Sequence, residues 1–278
     1  MSFLKGHPLK VWAALGVVAV IILGALLADV IAPLDPMKQN LLARMKAPGT
    51  EVRGITYLLG SDEIGRDLLS RIIYGARVSL IVAALAVVVG GAIGTILGVL
   101  AGWYRGIVEI AIMRSADIFL SVPAILLAII TVAILGPGLW NLVLVLAFTR
   151  WPRYARVAYG QTLTLARQPY VRLSQTMGAG AFWIMRKHIL PNILGPVLVV
   201  VTLEFGMMVL FEAGLSFLGL GVQPPTPSWG SIMAAGRNYL QTAWWISIFP
   251  GVLLFLLILS INFLGDYMRD RVEGRGRT

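Results

Sequence analysis

Long, predominantly apolar runs constrain the fold of this chain more than any other feature of its sequence. Five runs approach or reach the roughly 20 residues that a helix needs to cross a bilayer. They extend over residues 11–28, 78–103, 118–135, 193–218 and 244–263. The first run exceeds the roughly 7–15 apolar residues of a signal peptide, which favours an uncleaved N-terminal helix within residues 1–33. The runs therefore predict an all-α, polytopic membrane protein.

The composition agrees with this class. Of the 278 residues, 58% are hydrophobic and only 13% are charged, far from the globular average. The net charge of +10 does not indicate nucleic-acid binding, because the basic residues lie at the ends of apolar runs, where lipid headgroups and topology account for them. The chain has no cysteine, and its two histidines, His7 and His188, are far apart. We therefore expect membrane lipid as a partner, no nucleic acid and no bound metal.

A sixth span is predicted at residues 138–159, although only its first half is apolar. Arg150, Pro152, Arg153 and Arg156 follow Phe148 in the second half. Without this span, the basic loop that follows could not lie on the same side of the membrane as the basic N-terminus. The sequence therefore predicts about six transmembrane helices.

The distribution of Lys and Arg sets the orientation. Fifteen of the 23 basic residues fall in connections assigned to the inner side, among them Lys5, Arg275 and Arg277 near the termini. Seven of the eight outer ones lie between Lys38 and Arg77, where four acids, together with Asp35 just before them, nearly balance them, whereas residues 150–191 contain no acid. Cytoplasmic loops carry an excess of Lys and Arg. Both termini are therefore predicted to be cytoplasmic.

Residues 34–74 are predicted to form an extracytoplasmic segment that ends in an amphipathic helix over residues 61–74. Ser61 can cap this helix, and Asp67 and Arg71 are spaced for an i,i+4 ion pair. Its apolar face consists of Leu68, Leu69, Ile72 and Ile73. The pattern fits either an interfacial helix that leads into the next span or a surface that receives a delivery protein.

Two further patterns indicate helix packing and membrane interfaces. Glycines repeat every fourth residue in the second run, which places them on one helix face and lets another helix approach closely. These glycines are Gly90, Gly94, Gly98 and Gly102. Trp229, Trp244 and Trp245 fit an interfacial aromatic belt.

Ionisable residues inside spans are costly and need partners or water. Arg114 and Asp117 are three residues apart and could pair on one helix face. Glu204, Met208 and Glu212 lie on one side of the fifth run, where they could line a polar path for an amine or a cation, or bond to neighbouring helices. Neither glutamate has a nucleophile or histidine nearby in the sequence, so no catalytic constellation is visible.

A basic loop with Gly and Pro residues, at about residues 167–191, interrupts the apolar runs. Its charge places it on the cytoplasmic side, where it can dock a soluble partner. The chain contains no GxxxxGK[ST] phosphate-binding loop, so any ATP must be handled by another subunit.

Five ordered segments resemble the inner-membrane permease subunits of peptide-type ABC importers, which carry dipeptides, oligopeptides or nickel. They occupy residues 59–67, 74–80, 188–192, 215–225 and 264–266. The resemblance is to the second, C-type permease of such a system. It implies a type I importer permease architecture, with the permease domain at 75–265, a basic cytoplasmic tail at 266–278, and a place in the bacterial inner membrane.

The resemblance also implies a coupling motif in the basic loop. In this family the loop carries Glu-Ala-Ala, three residues, Gly, and a spacer ending in Leu-Pro, and it forms short helices that seat in a cleft of the ATPase. The Gly corresponds to Gly178, and the Leu-Pro to Leu190 and Pro191. The Glu-Ala-Ala positions are occupied by Arg172, Leu173 and Ser174. A base thus replaces the acid, which calls for a compensating acid in the ATPase.

The implied function is that of a permease subunit, not an enzyme. With a homologous permease it would form a heterodimeric pathway for peptides or related small solutes that an extracytoplasmic binding protein delivers. Two ATPases would bind the ATP and Mg, and this chain would bind no cofactor. An ion-coupled secondary transporter that uses Glu204 and Glu212 is the alternative, but it predicts internal repeats, and none is convincing. An intramembrane enzyme is disfavoured because its catalytic constellation is missing. The resemblance leaves dipeptide, oligopeptide, glutathione and nickel open as cargo.

Overall fold

Helices make up 76% of the computed structural model, which describes residues 9–272. The long helices are α1 (Leu9–Leu26), α3 (Leu68–Tyr104), α4 (Gly106–Ser121), α5 (Ala124–Leu135), α6 (Leu139–Leu165), α9 (Leu190–Phe217) and α11 (Trp245–Val272). The short ones are α2 (Ala28–Ile31), α7 (Pro169–Thr176), α8 (Ala181–Ile184) and α10 (Trp229–Gly236), and the strands are β1 (Thr50–Val52) and β2 (Ile55–Tyr57). Lys5, His7, Arg275 and Arg277 lie outside the described residues.

Within the described residues, four helical stretches are long and apolar enough to cross a membrane: α1, α3, Ala181–Phe217 and α11. The bent pair α4–α5 makes a fifth if it counts as one span. Helix α6 is the sixth long helical unit when α4 and α5 are counted together. Its 27 residues extend about 40 Å, which is enough to cross a bilayer, although its arginines lower its mean hydropathy. The prediction of an all-α polytopic membrane protein is confirmed.

The run at residues 118–135 is not one helix, as the sequence predicted, but parts of two. Helices α4 and α5 meet at an angle of 93°. Pro123 stands at the break and cannot donate a backbone hydrogen bond, and Val122 before it is extended, with φ −99° and ψ 134°. A residue that precedes proline is disfavoured in the helical region, which explains why the helix ends here.

The predicted amphipathic helix at 61–74 is also corrected. Helix α3 begins at Leu68, and Asp67 is its N-cap, with the carboxylate accepting a 2.8 Å hydrogen bond from the Ser70 backbone N–H. Ser61, the predicted cap, instead donates its hydroxyl to the Ala43 carbonyl. Helix α3 then continues for 37 residues into the second apolar run, so no separate interfacial helix precedes it.

A buried cluster of charges organises the segment between α2 and α3, which we call the outer segment after its predicted side. The Asp62 carboxylate lies 2.6 Å from the Arg66 Nε and 3.4 Å from the Arg71 Nε. The predicted pair between Asp67 and Arg71 is therefore wrong, because Asp67 is engaged as the helix cap. The antiparallel hairpin β1–β2 lies beside this cluster in the chain, with Thr50 opposite Tyr57.

Two tryptophans make buried hydrogen bonds rather than forming an interfacial belt: Trp245 joins α11 to the segment before α3, and Trp229 joins α10 to α3. The Trp245 indole donates a 3.2 Å hydrogen bond to the Ser61 carbonyl, and the Trp229 indole donates a 3.0 Å bond to the Ile72 carbonyl. Both are buried, whereas Trp244 is 47% exposed. A belt residue needs a ring at the membrane surface, so the belt prediction fails for Trp229 and Trp245.

The glycine stripe of α3 packs against α6, as the spacing predicted. A Cβ atom on Gly94 would lie 2.3 Å from the Trp151 carbonyl oxygen, and one on Gly98 would lie 2.3 Å from that of Ala155. No side chain fits between the two backbones at these points. The pair α3–α6 therefore forms a closely packed centre around which the other helices are arranged.

Candidate functional site

The basic loop folds into two short helices joined by a glycine turn. Helix α7 begins with Pro169, whose missing N–H is not needed in the first turn. Gly178 follows α7 with φ +83°, a conformation that glycine adopts without strain. Helix α8 then leads through a π-helical turn, Met185–Ile189, into α9. Short helices thus occupy the loop, as the resemblance implied.

Buried side chains attach these short helices to the long ones. Val171 of α7, Ile184 of α8 and Ile189 of the π turn are all fully buried. They belong to one apolar cluster with Val99 of α3 and Ala158 of α6. A force applied to the loop therefore reaches the α3–α6 pair and α9 through packed contacts.

His188 contacts both short helices and holds them in place. Its Nε2 lies 3.3 Å from the Ser174 hydroxyl, and its ring packs edge-on against Tyr170 and Trp183 at centroid distances of 5.5 and 5.2 Å. In the sequence, His188 stands out only as a possible metal ligand, too far from His7 to form a site with it. Its position beside the Leu-Pro of the resembling segment was the signal that could have indicated a structural role.

The outward face of the loop is apolar and basic. Leu173, Met177 and Phe182 are 61, 78 and 73% exposed. Arg172, Arg186 and Lys187 are exposed beside them, and none forms an ion pair with another described residue. We call these six residues the coupling surface. Exposed apolar patches commonly mark interaction sites, and here the surrounding charge calls for an acidic partner. The coupling role of the loop stays a prediction.

Leu190 and Pro191, the predicted end of the coupling motif, form the first turn of α9. Both are exposed at the surface, adjacent in the chain to the buried Ile189. Ser174 faces inward to His188 rather than outward. The structure thus brings Arg172, Leu173 and Gly178 to one surface and uses Ser174 for internal support.

The three residues predicted to line a polar path have different surroundings. Glu204 of α9 is buried and faces α6, with its carboxylate 3.0 Å from Arg153 NH1 and 3.7 Å from the Arg150 Nε. Met208 and Glu212 are fully buried among neighbouring helices, where Glu212 accepts a 2.8 Å hydrogen bond from the Ser216 hydroxyl. A path-lining role for all three stays a prediction.

A second charged set lies between α4 and α6. Asp117 pairs with Arg156 at 2.6 Å, so the predicted pair with Arg114 is wrong. The Tyr159 hydroxyl donates a hydrogen bond to Glu109. Sequence spacing missed these two contacts because each joins different helices, across 39 and 50 residues of the chain.

Open cavities run along this face of α6. One is lined by Arg153, Arg156, Glu204 and neighbouring apolar side chains of α4, α6 and α9. The next shares Arg156 and adds Glu109, Arg114 and Asp117. We call these two adjoining cavities the charged groove. Within residues 9–272, no three His, Asp or Glu side chains come together in a metal-binding arrangement.

Comparison with known proteins connects this architecture to a function. Residues 94–274 match the family of binding-protein-dependent transport system inner membrane components. The chain belongs to this family. The di/tripeptide transport system permease protein DppC of Pseudomonas aeruginosa is 43% identical over 91% of this chain and 84% of its own length. The dipeptide permease DppC of Escherichia coli K12 is 42% identical over 92% and 86%.

Solved structures show the same fold. The MetNI methionine ABC transporter in an inward-facing conformation aligns with a TM-score of 0.59 at 24% identity, over 74% of this permease and 97% of that chain. An amino acid ABC transporter aligns with a TM-score of 0.55 at 16% identity, over 73% and 94%. The type I permease fold and a transport role, rather than an enzymatic one, are confirmed. The chain is a multi-pass permease of the inner membrane and a subunit of an ABC importer.

Proposed function

We propose that this permease pairs with a homologous permease to form the pathway of a peptide importer. An extracytoplasmic binding protein delivers the solute, and two ATPases bind ATP and Mg on the cytoplasmic side, where both termini of this chain lie. Relatives at 42–43% identity named as dipeptide and di/tripeptide permeases support the cargo class. The secondary-transporter alternative has no support from these relatives.

The coupling surface is the main structural support for this proposal. It is the exposed face of helices that are held by buried residues against α3, α6 and α9. A soluble ATPase that binds Leu173, Met177 and Phe182 can therefore move the long helices together with the short ones. ATP binding and hydrolysis then shift the permease pair between outward- and inward-open arrangements, since packed interfaces switch between discrete states.

The experiment tests docking on this surface in the reconstituted complex. Phe182→Ser removes an exposed ring, so the permease should still fold, but ATPase co-purification and ATP-driven dipeptide uptake should fall. Leu41→Ser is the matched control, because Leu41 is 69% exposed in the outer segment. Equal losses in both variants, or uptake driven by an ion gradient without ATP, would contradict the proposed function.

A further inference from the structure

Helix α6 has two faces of opposite character. One packs against the glycine stripe of α3 through Trp151 and Ala155. The other carries Arg153 and Arg156, whose side chains are 52 and 54% exposed, toward the charged groove. Arg150, only 4% exposed, stacks on the Phe211 ring at 4.3 Å and lies 3.7 Å from the Glu204 carboxylate, so it is buried between the helices. Of these three α6 arginines, Arg153 and Arg156 therefore offer guanidinium surface to another molecule.

Half-exposed arginines in the middle of a membrane helix need water or a charged partner, because lipid supplies neither. Arg153 lies 14 residues from the start of the 27-residue α6, about 21 Å along it, so it is far from both ends. The adjoining cavities place open space beside these arginines. We therefore take the charged groove to be an aqueous part of the permease.

The charged side chains in and around the groove carry an excess of positive charge. Each of its three acids is already engaged: Glu204 by Arg150 and Arg153, Asp117 by Arg156, and Glu109 by Arg105 and Tyr159. Arg114 also lines the groove and makes no ion pair with a described residue. Three arginines and three acids thus line the groove, and two more arginines, Arg105 and Arg150, pair with Glu109 and Glu204 from outside the lining. Residues 118–203 of the sequence contain no acid that could add to the three.

We propose that Arg156, assisted by Arg153, receives the carboxylate of a solute that passes through the groove. A guanidinium presents two parallel donors that match a carboxylate. Asp117 holds Arg156 between transport events and is displaced by the solute carboxylate, which leaves binding weak enough for release. This inference rests on the proposed function, because the groove acts only where solute crosses the membrane.

Uptake of a dipeptide with a free C-terminal carboxylate tests this exchange in proteoliposomes that contain the full complex. Arg156→Gln should lower uptake about tenfold, the size expected for one lost hydrogen bond to a charged group. Asp117→Asn should raise uptake, because it frees Arg156 from its resting partner. Arg271→Gln, which alters an exposed arginine at the inner end of α11, should behave as the wild type.

Comparison of Arg156→Gln with Asp117→Asn distinguishes a role of the ion pair in solute recognition from a role in the stability of the permease. Equal losses in Arg156→Gln and Asp117→Asn would mean that the ion pair is structural, and normal uptake in Arg156→Gln would mean that it meets no solute. Either result overturns the inference. Absence of ATP-driven uptake in the wild type would contradict the proposed function, so the groove also needs a measurement that does not depend on transport.

Thiol modification supplies that measurement, since the sequence has no cysteine. Val200→Cys places a thiol in the groove wall, beside Arg153 and Arg156. In the purified complex, a thiosulfonate reagent bearing a sulfonate should modify it several-fold faster than one bearing a trimethylammonium group. Adding Arg156→Gln should reduce that preference. No modification, or a preference for the cationic reagent, would overturn the inference.

Discussion

At the scale of single residues, Gly178 is the position where the coupling loop depends on one backbone angle. Its φ of +83° strains any other residue, although space for a Cβ is open. Gly178→Ala should cost about 1–2 kcal/mol in the turn and reduce the ATP hydrolysis that the binding protein stimulates. Gly180→Ala is the matched control, because Gly180 has an ordinary φ and equally open space. Similar activities in the two variants would mean that the turn does not matter for coupling.

Asp29, just after α1, leads to a prediction of how the stability of the fold depends on pH. Hydrogen bonds from Arg77, 2.9 Å away, and from Tyr74 lower the pKa of this carboxyl below its usual value of 3.8. A lowered pKa means that the interaction stabilises the fold above that usual value and is lost as the pH falls through the lowered one. The Tm of the wild type should exceed that of Asp29→Asn at neutral pH, and the difference should disappear in acid. A constant difference would exclude the ionised pair as its cause.

At the scale of helices, the sequence predicts the helices that follow from a periodic pattern of residues. It misses the helix ends that a single residue or a single tertiary contact determines. Apolar runs located α1, α9 and α11, and the glycine spacing predicted a close helix partner. The run at 118–135 was misjudged because hydropathy gives Pro123 little weight, although its missing N–H decides where the helix breaks. The start of α3 was misplaced because Ser61 and Asp67 are both good caps, and only tertiary contacts choose between them.

The packing of α3 on α6 can be tested at Gly98. A methyl group there would lie 2.3 Å from the Ala155 carbonyl oxygen and 2.8 Å from the Ala158 Cβ, so the helices must separate. Gly98→Ala should lower the free energy of unfolding by about 1–3 kcal/mol, measured as a lower Tm in detergent. Gly16→Ala in α1 meets no atom within 4 Å and should be neutral or stabilising. A neutral Gly98→Ala would contradict the close approach of the helices.

At the scale of the whole molecule, the site was only partly predictable. The acid-free loop indicated a cytoplasmic docking surface, and the resemblance indicated the positions of Arg172, Gly178 and Leu190. The charged groove was not found, because Asp117 and Glu204 pair with arginines 39 and 51 residues away. Spacing along one helix cannot show which neighbouring helix supplies a partner. Only the tertiary arrangement shows that Arg153 and Arg156 share one face with an open cavity.

Arg172 tests how this permease meets its ATPase. An exposed base with no described ion-pair partner calls for an acid in the ATPase cleft, so Arg172→Glu should weaken ATPase binding two- to fivefold, about 0.4–1 kcal/mol, as for an exposed ion pair. The loss should shrink at high salt, because screening weakens exposed charge pairs. Lys38→Glu, an equal charge change in the outer segment, should leave ATPase binding unchanged. Tighter binding by Arg172→Glu would show that the cleft is basic and that Arg172 contacts something else.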